Sequence, residues 1–227
     1  LIEEAMMKQI REIDDVQNVS RYVTRQDYGG VYYLNTALSG GYVRGIDDSY
    51  FATCNYIMQR GRGFVEKDYT DFNKVAILDN NSAYSLFQGE DPLGKVIEIH
   101  QEPFTVVGIV TKKKVFEPVI NSIDEYYTYA ENSAGTVYIP DAAWPICYQF
   151  DEPQNVVIRV GTTDSMTTAG KACADLLNQY LNVTDDTISY KATDLLEQAQ
   201  QIQELGSSTN TMLIWIAGIS LIVGGIG

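Results

Sequence analysis

The chain reads as an α+β fold, and three observations predict it. First, Ile2, Met6, Ile10 and Ile13 lie on one helical stripe at the start of the chain, and Ala169, Cys173, Leu176 and Tyr180 lie on another near its end. Second, residues 72–150 between them carry mostly short β-branched runs bounded by turn residues, the pattern of strands. Third, no charged side chain follows Glu204. An apolar run of about 17–25 residues is what a helix needs to cross ~30 Å of hydrocarbon, so 206–227 is expected to start a membrane-spanning helix surrounded by lipid. Gly218, Gly224, Gly225 and Gly227 would cost a soluble helix about 1 kcal/mol each, whereas small residues such as Ser220 and Gly224 let helices approach closely in a bilayer. The expected architecture is a subdomain assembled from both ends of the chain, 1–71 and 151–205, carrying an inserted β-rich subdomain at 72–150.

In chain order, residues 1–16 read as a helix expected to continue an upstream span. Val19–Arg25 and Val31–Leu38 read as strands joined by the turn Asp27-Tyr28-Gly29-Gly30, with Tyr42–Ile46 as a third. Asp47-Asp48-Ser49 supplies cap residues for a short helix with Phe51, Cys54 and Ile57/Met58 on its stripe, stopped by Gly61. Val75–Leu78 reads as a buried strand, Asn81–Phe87 as two helical turns, and Asp91-Pro92-Leu93-Gly94 as a turn. Val96–His100 and Phe104–Val110 suit an antiparallel hairpin. The tyrosine-rich stretch 115–135 reads as a long irregular loop, with Tyr126, Tyr127 and Tyr129 as possible contact residues, and Thr136–Pro140 as a strand. Asn155–Val160, Met166–Leu181 and Thr187–Lys191 form a strand, helix, strand unit of the length a crossover needs. Thr193 then caps a helix running toward the tail, with Gly206-Ser207-Ser208 as a hinge.

Composition narrows the function. The net charge is −14, from 16 basic and 30 acidic residues, which excludes nucleic acid as a partner because that affinity comes from neutralising phosphate. Lys112-Lys113-Lys114 is the one cationic run and reads as a solvated strand edge. The scarcity of cations before the apolar tail favours the outer face of a membrane. Cys54, Cys147 and Cys173 allow at most one disulfide and have no metal-ligand spacing. Gly89–Lys95 matches a P-loop except that Val96 stands where the motif needs Ser or Thr. Pro92 also lacks an N–H, and Glu90 and Asp91 would repel phosphate, so Lys95 is expected to be structural. His100 is the single histidine and reads as a solvent-facing strand residue. No serine elbow occurs, and the pairs Asp14-Asp15, Asp47-Asp48 and Asp185-Asp186 fall at caps and turns. The expectation is therefore no catalytic, cofactor-binding or metal-ligating residue.

Several segments resemble one family. Gly61-Arg62-Gly63-Phe64 with Asp68, Lys74–Leu78, Leu86-Phe87, Asp91–Lys95 and Phe104–Val110 resemble the extracytoplasmic core domain of MacB-type ABC transporter permeases. The tail Ile219–Gly227 is similar to the start of the second transmembrane helix of these FtsX-like permeases. The resemblance covers roughly 60–110 and 210–227. It implies a porter-like subdomain built from the chain ends with an inserted β lobe, lying between the first two of four spans. It also implies an ABC ATPase subunit or domain in the cytoplasm, a second permease copy, and in the best-known members an adaptor (membrane-fusion) protein that completes an exporter of antibiotics, peptides or toxins. Relatives release lipoproteins, sense antimicrobial peptides or control cell-wall hydrolases. Three classes thus stand side by side: a transporter coupling domain, a tethered receptor or regulator, and an anchored extracellular enzyme, the last without a nucleophile, base or metal.

Overall fold

The computed structural model describes residues 1–113, 134–150, 152–162, 164–181 and 188–192, and the backbone of 216–223. In chain order the strands are β1 (Val16–Asp27), β2 (Val31–Tyr33), β3 (Thr36–Ala37), β4 (Gly41–Ile46), β5 (Tyr56–Gly61) and β6 (Val75–Asp79). They continue with β7 (Val96–Ile99), β8 (Glu102–Lys112), β9 (Thr136–Pro140), β10 (Asn155–Val160), β11 (Ile188–Ala192) and β12 (Ile216–Val223). The fold is α+β, with a mixed sheet and few helices. It divides into two compact units. One gathers Leu1–Arg21, Ala52–Cys54 and Pro153–Gly227; the other holds Tyr22–Phe51 and Asn55–Glu152. The unit that contains all of 72–150 thus also takes in residues 22–71 apart from 52–54.

In the first unit, β10 and β11 each pair antiparallel with β12, so they run parallel to each other and helix Ser165–Gln179 is the crossover between them. Its buried face is Met166, Ala169, Gly170, Cys173, Ala174 and Leu177, packed on Ile2, Met7, Ile10, Val19 and the inner residues of β10. Near the helix end the Asn178 amide donates to the Tyr190 carbonyl at 3.0 Å and accepts from the Tyr190 N–H at 2.7 Å. The first helix is shorter than its stripe suggested. It spans Glu4–Arg11, and Asp15 at φ 63° turns the chain so that Val16 opens a strand. Met7 rather than Met6 is fully buried.

The start of a transmembrane helix expected over 206–227 is not found. Ile216–Val223 is a strand, and no helix among the described residues is long and apolar enough to cross a membrane. Two parallel strands one place apart leave inward-facing N–H and C=O groups that only an interposed strand can satisfy. Periodicity alone does not separate a short apolar strand from a helical segment. The helix expected from Thr193, and residues 115–133 of the loop expected over 115–135, fall outside the described residues.

The second unit is a mixed sheet in the order β1-β4-β9-β6-β8-β7-β2-β3, with β5 on β8. One face packs on helix Asn80–Phe87 through Val43, Leu78, Leu86, Phe87, Ile97, Phe104 and Val106. That helix starts where the Asp79 side chain accepts from Ser82 N–H at 2.7 Å and ends at Gln88 in the left-handed region. Two elements differ from expectation. Val31–Leu38 is a hairpin, β2 and β3, because Leu34 at φ 51° reverses the chain. Residues 50–58 give only one helical turn, Tyr50–Thr53; Asn55 at φ 60° ends it, and Tyr56–Gly61 pairs antiparallel with β8. Tertiary pairing here outweighs a helical spacing, because the far half of β8 needs a neighbour on that side.

Candidate functional site

The segments that carry the family resemblance are separate in sequence and meet on β8. Arg62 N–H donates to the Val107 carbonyl at 2.9 Å, Gly94 N–H to that of Val106 at 2.8 Å, Val106 N–H to that of Lys95 at 2.8 Å, and Thr105 N–H to that of Lys74 at 2.9 Å. Gly61 and Gly108 are opposite one another, so close that a Cβ on Gly61 would stand 2.9 Å from the Gly108 Cα. Arg62 then grips the buried Asp68 with both nitrogens, at 2.6 and 3.2 Å, and Asp68 also accepts from Val65 N–H at 2.9 Å. Burial would raise the Asp68 pKa, but Arg62 and these amides outweigh it and hold the carboxyl below its ordinary value. Arg60 and Asp91 add an exposed pair at 2.7 Å.

The Gly89–Lys95 loop, which has the P-loop spacing, turns several of its amides inward. The Gly94 and Lys95 amides are spent on Val106 and Pro92, and Leu93 N–H on Asp91 at 3.2 Å. Lys95 pairs with Glu90 and lies over the Tyr33 ring, 5.4 Å from its centroid. A phosphate would find no cradle of free N–H groups there.

His100 is exposed, as its sequence reading expected, but it lies on a turn rather than within a strand. It sits with Gln101 at the tip of the β7–β8 hairpin, both with positive φ, and its Nε2 is 3.0 Å from Oδ2 of the buried Asp27. The same oxygen accepts from the Tyr148 hydroxyl at 3.1 Å, while Oδ1 takes the Gly29 and Gly30 amides. Burial pushes the Asp27 pKa up, and these four partners together hold it below its ordinary value. Tyr148 stacks on Trp144 at 4.2 Å, and Glu152 joins the Trp144 indole N–H (3.0 Å) to Arg25 (2.8 Å). The one hint in the sequence was Asp27 ahead of Gly29-Gly30, a carboxylate placed to bind amides two and three residues on.

The other flagged residues do not converge. Cys54 is buried, and burial pushes the Cys147 and Cys173 thiols up to about 12. Asp15 accepts from Thr162 at 2.9 Å, and Asp47 caps Ser49 N–H at 3.1 Å. Lys112 and Lys113 are exposed at the end of β8. Lys114, Tyr126, Tyr127, Tyr129, Asp185 and Asp186 fall outside the described residues. Among the described residues no group of three or more His, Cys, Asp or Glu could hold a metal ion.

Comparison with known proteins adds the family. The model of the MacB-like periplasmic core domain matches residues 2–176. The chain is 31% identical over 97% of its length to the ABC transporter permease YvrN of Bacillus subtilis, and 30% identical over 86% to the macrolide export ATP-binding/permease protein MacB 2 of Yersinia pestis. It spans 52% and 26% of those two proteins. The crystal structure of the extracellular domain of the transporter YknZ from Gram-positive bacteria shares the fold, with a TM-score of 0.56 at 20% identity over 78% of this chain and 83% of that one. The chain belongs to the MacB-like periplasmic core domain family, the extracytoplasmic domains of ABC transporter permeases.

Proposed function

We propose that this domain is a mechanical coupling element: it transmits motion driven by cytoplasmic ATP hydrolysis to the export of a peptide, antibiotic or toxin. The observation that carries the proposal is that one compact unit gathers both Leu1–Arg21 and Pro153–Gly227, so that displacing either end of the chain displaces the same body. The motif residues support it as well. Arg62 and Asp68 hold one another, Lys95 holds Glu90, and Gly108 lies against the Arg62 backbone, so these residues are committed to contacts within the domain. An ABC ATPase, fused or separate, is the energy source in this reading. A second permease copy and an adaptor protein complete the assembly. The division of labour follows the two units, the end-built one receiving motion and the β-rich one carrying contacts.

A second reading, a receptor or regulator on the same scaffold, is favoured by the rings of Tyr28, Tyr84 and Phe150, each at least 70% exposed on the β-rich unit. One experiment separates the two. Four Gly/Ser residues inserted directly after Gly227 of the reconstituted full permease, beyond β12, should leave ATPase activity intact and lower export. Unchanged export would reject coupling through this end of the chain and favour the receptor reading.

A further inference from the structure

Among the cations of this acidic chain, Arg44 and Arg159 are two for which the described residues supply no carboxylate, and Arg44 is the one ringed by tyrosines. Arg11, Arg25, Arg60, Arg62, Lys74 and Lys95 each hold a carboxylate. Arg44 makes no ion pair among the described residues. Its Nε reaches the Thr24 hydroxyl at 3.4 Å, its Nη1 donates to the Tyr50 hydroxyl at 2.9 Å, and the Tyr42 and Tyr22 rings flank Cζ at 5.8 and 5.9 Å. These neighbours are all uncharged.

The sheet register builds this surrounding. Thr24 lies opposite Arg44 across the β1–β4 pair, and Tyr138 opposite it across β4–β9. Tyr50 closes the group from the helical turn that follows Asp47. Arg44 is partly buried, and burial opposes its charge. A guanidinium stays protonated all the same, so Arg44 is a cation whose neighbours do not neutralise it. Ring faces and hydroxyl dipoles stabilise a cation without neutralising it. A guanidinium has five N–H donors in a planar fork, and the contacts above use two. Desolvated charges in proteins are ordinarily paired, and planar bidentate recognition of a carboxylate is what this side chain does best.

We propose that Arg44 is a carboxylate receptor, whose remaining Nη donors take both oxygens of a carboxylate supplied from outside the domain between the Tyr22 and Tyr42 rings. A small free carboxylate and an acidic side chain of a polypeptide present the same group. The test is the arginine Nε–H spectrum of the full chain, with the Arg44 resonance identified by its loss in Arg44→Lys. Sodium acetate is titrated against sodium chloride at equal ionic strength, and a glutamate-rich peptide against its glutamine counterpart. The expected result is a saturable shift of the Arg44 resonance with acetate, with the glutamate peptide, or with both. The accompanying rise in melting temperature should need at least tenfold more carboxylate in Arg44→Met. Response to acetate alone identifies a small free ligand, and response to the glutamate but not the glutamine peptide identifies an acidic partner. A resonance that neither probe moves, or an Arg44→Met chain that responds as the wild type does, overturns the proposal.

Discussion

His100 and Asp27, 73 positions apart, are joined by a 3.0 Å contact between Nε2 and Oδ2, which ties the tip of the β7–β8 hairpin to the turn that ends β1. Asp27 is 4% exposed and serves four partners. Replacing it with Asn keeps an oxygen for the two glycine amides but puts an NH2 donor where the imidazole and the phenol meet Oδ2, and should cost about 1–3 kcal/mol in urea unfolding. The pH dependence follows from its lowered pKa. A carboxyl whose folded pKa lies below its unfolded value, about 3.9, adds stability that is complete above that value and lost as pH falls through the folded one. Wild-type stability should therefore fall more steeply than that of Asp27→Asn below about pH 4. Parallel curves would show that the charge of Asp27 does not contribute.

Gly61 and Gly94 both have positive φ, 75° and 76°, but only Gly61 is crowded. Nothing lies within 4 Å of a Cβ at Gly94, whereas one at Gly61 meets the Val107 carbonyl and the Gly108 Cα. Gly94→Ala should cost about 1–2 kcal/mol for the left-handed backbone alone. Gly61→Ala adds a backbone collision and should cost roughly 3 kcal/mol or more. Equal losses in thermal unfolding would contradict the close approach of β5 and β8.

Lys95 is committed to Glu90 and the Tyr33 ring. Labelled ATP with Mg²⁺ should show no saturable binding to this chain, and Lys95→Ala should leave the baseline unchanged. Micromolar binding that disappears in the variant would mean that the 89–95 loop is a nucleotide site after all.

The thiols of Cys147 and Cys173, pushed up to about 12 by burial, should be almost wholly protonated at pH 8. With about one thiolate in ten thousand, iodoacetamide should label neither over an hour in buffer and both in urea. Rapid native labelling, read by mass spectrometry, would indicate that these side chains are open to solvent.

What was legible in the sequence was local. Val75–Leu78, Thr136–Pro140 and Asn155–Val160 could be read because a run of β-branched residues between turn residues has little alternative. Asn80–Phe87 could be read from its end at Gln88-Gly89. Tyr56–Gly61 could not, because its partner β8 lies some fifty positions on and the Phe51, Cys54, Ile57 spacing suits a helix equally well. The Asp27–His100–Tyr148 cluster was illegible for the same reason: its members are spread over 121 positions, and each alone resembles a turn or surface residue. Lys95 was expected to be structural because the objection to a P-loop was chemical and local, and its side chain pairs with Glu90.

The paired bonds between Asn178 and Tyr190 have a consequence for behaviour in concentrated solution. Strand β11 is last in the strand order, and such a strand can accept a strand from another molecule wherever its outward N–H and C=O groups are free. At Tyr190 one side-chain amide occupies both groups, as an opposing strand would. An incoming chain would have to break both bonds to pair at Tyr190, so the amide acts as a guard against runaway association. Asn178→Leu, which fills the space without the two bonds, would reopen that border.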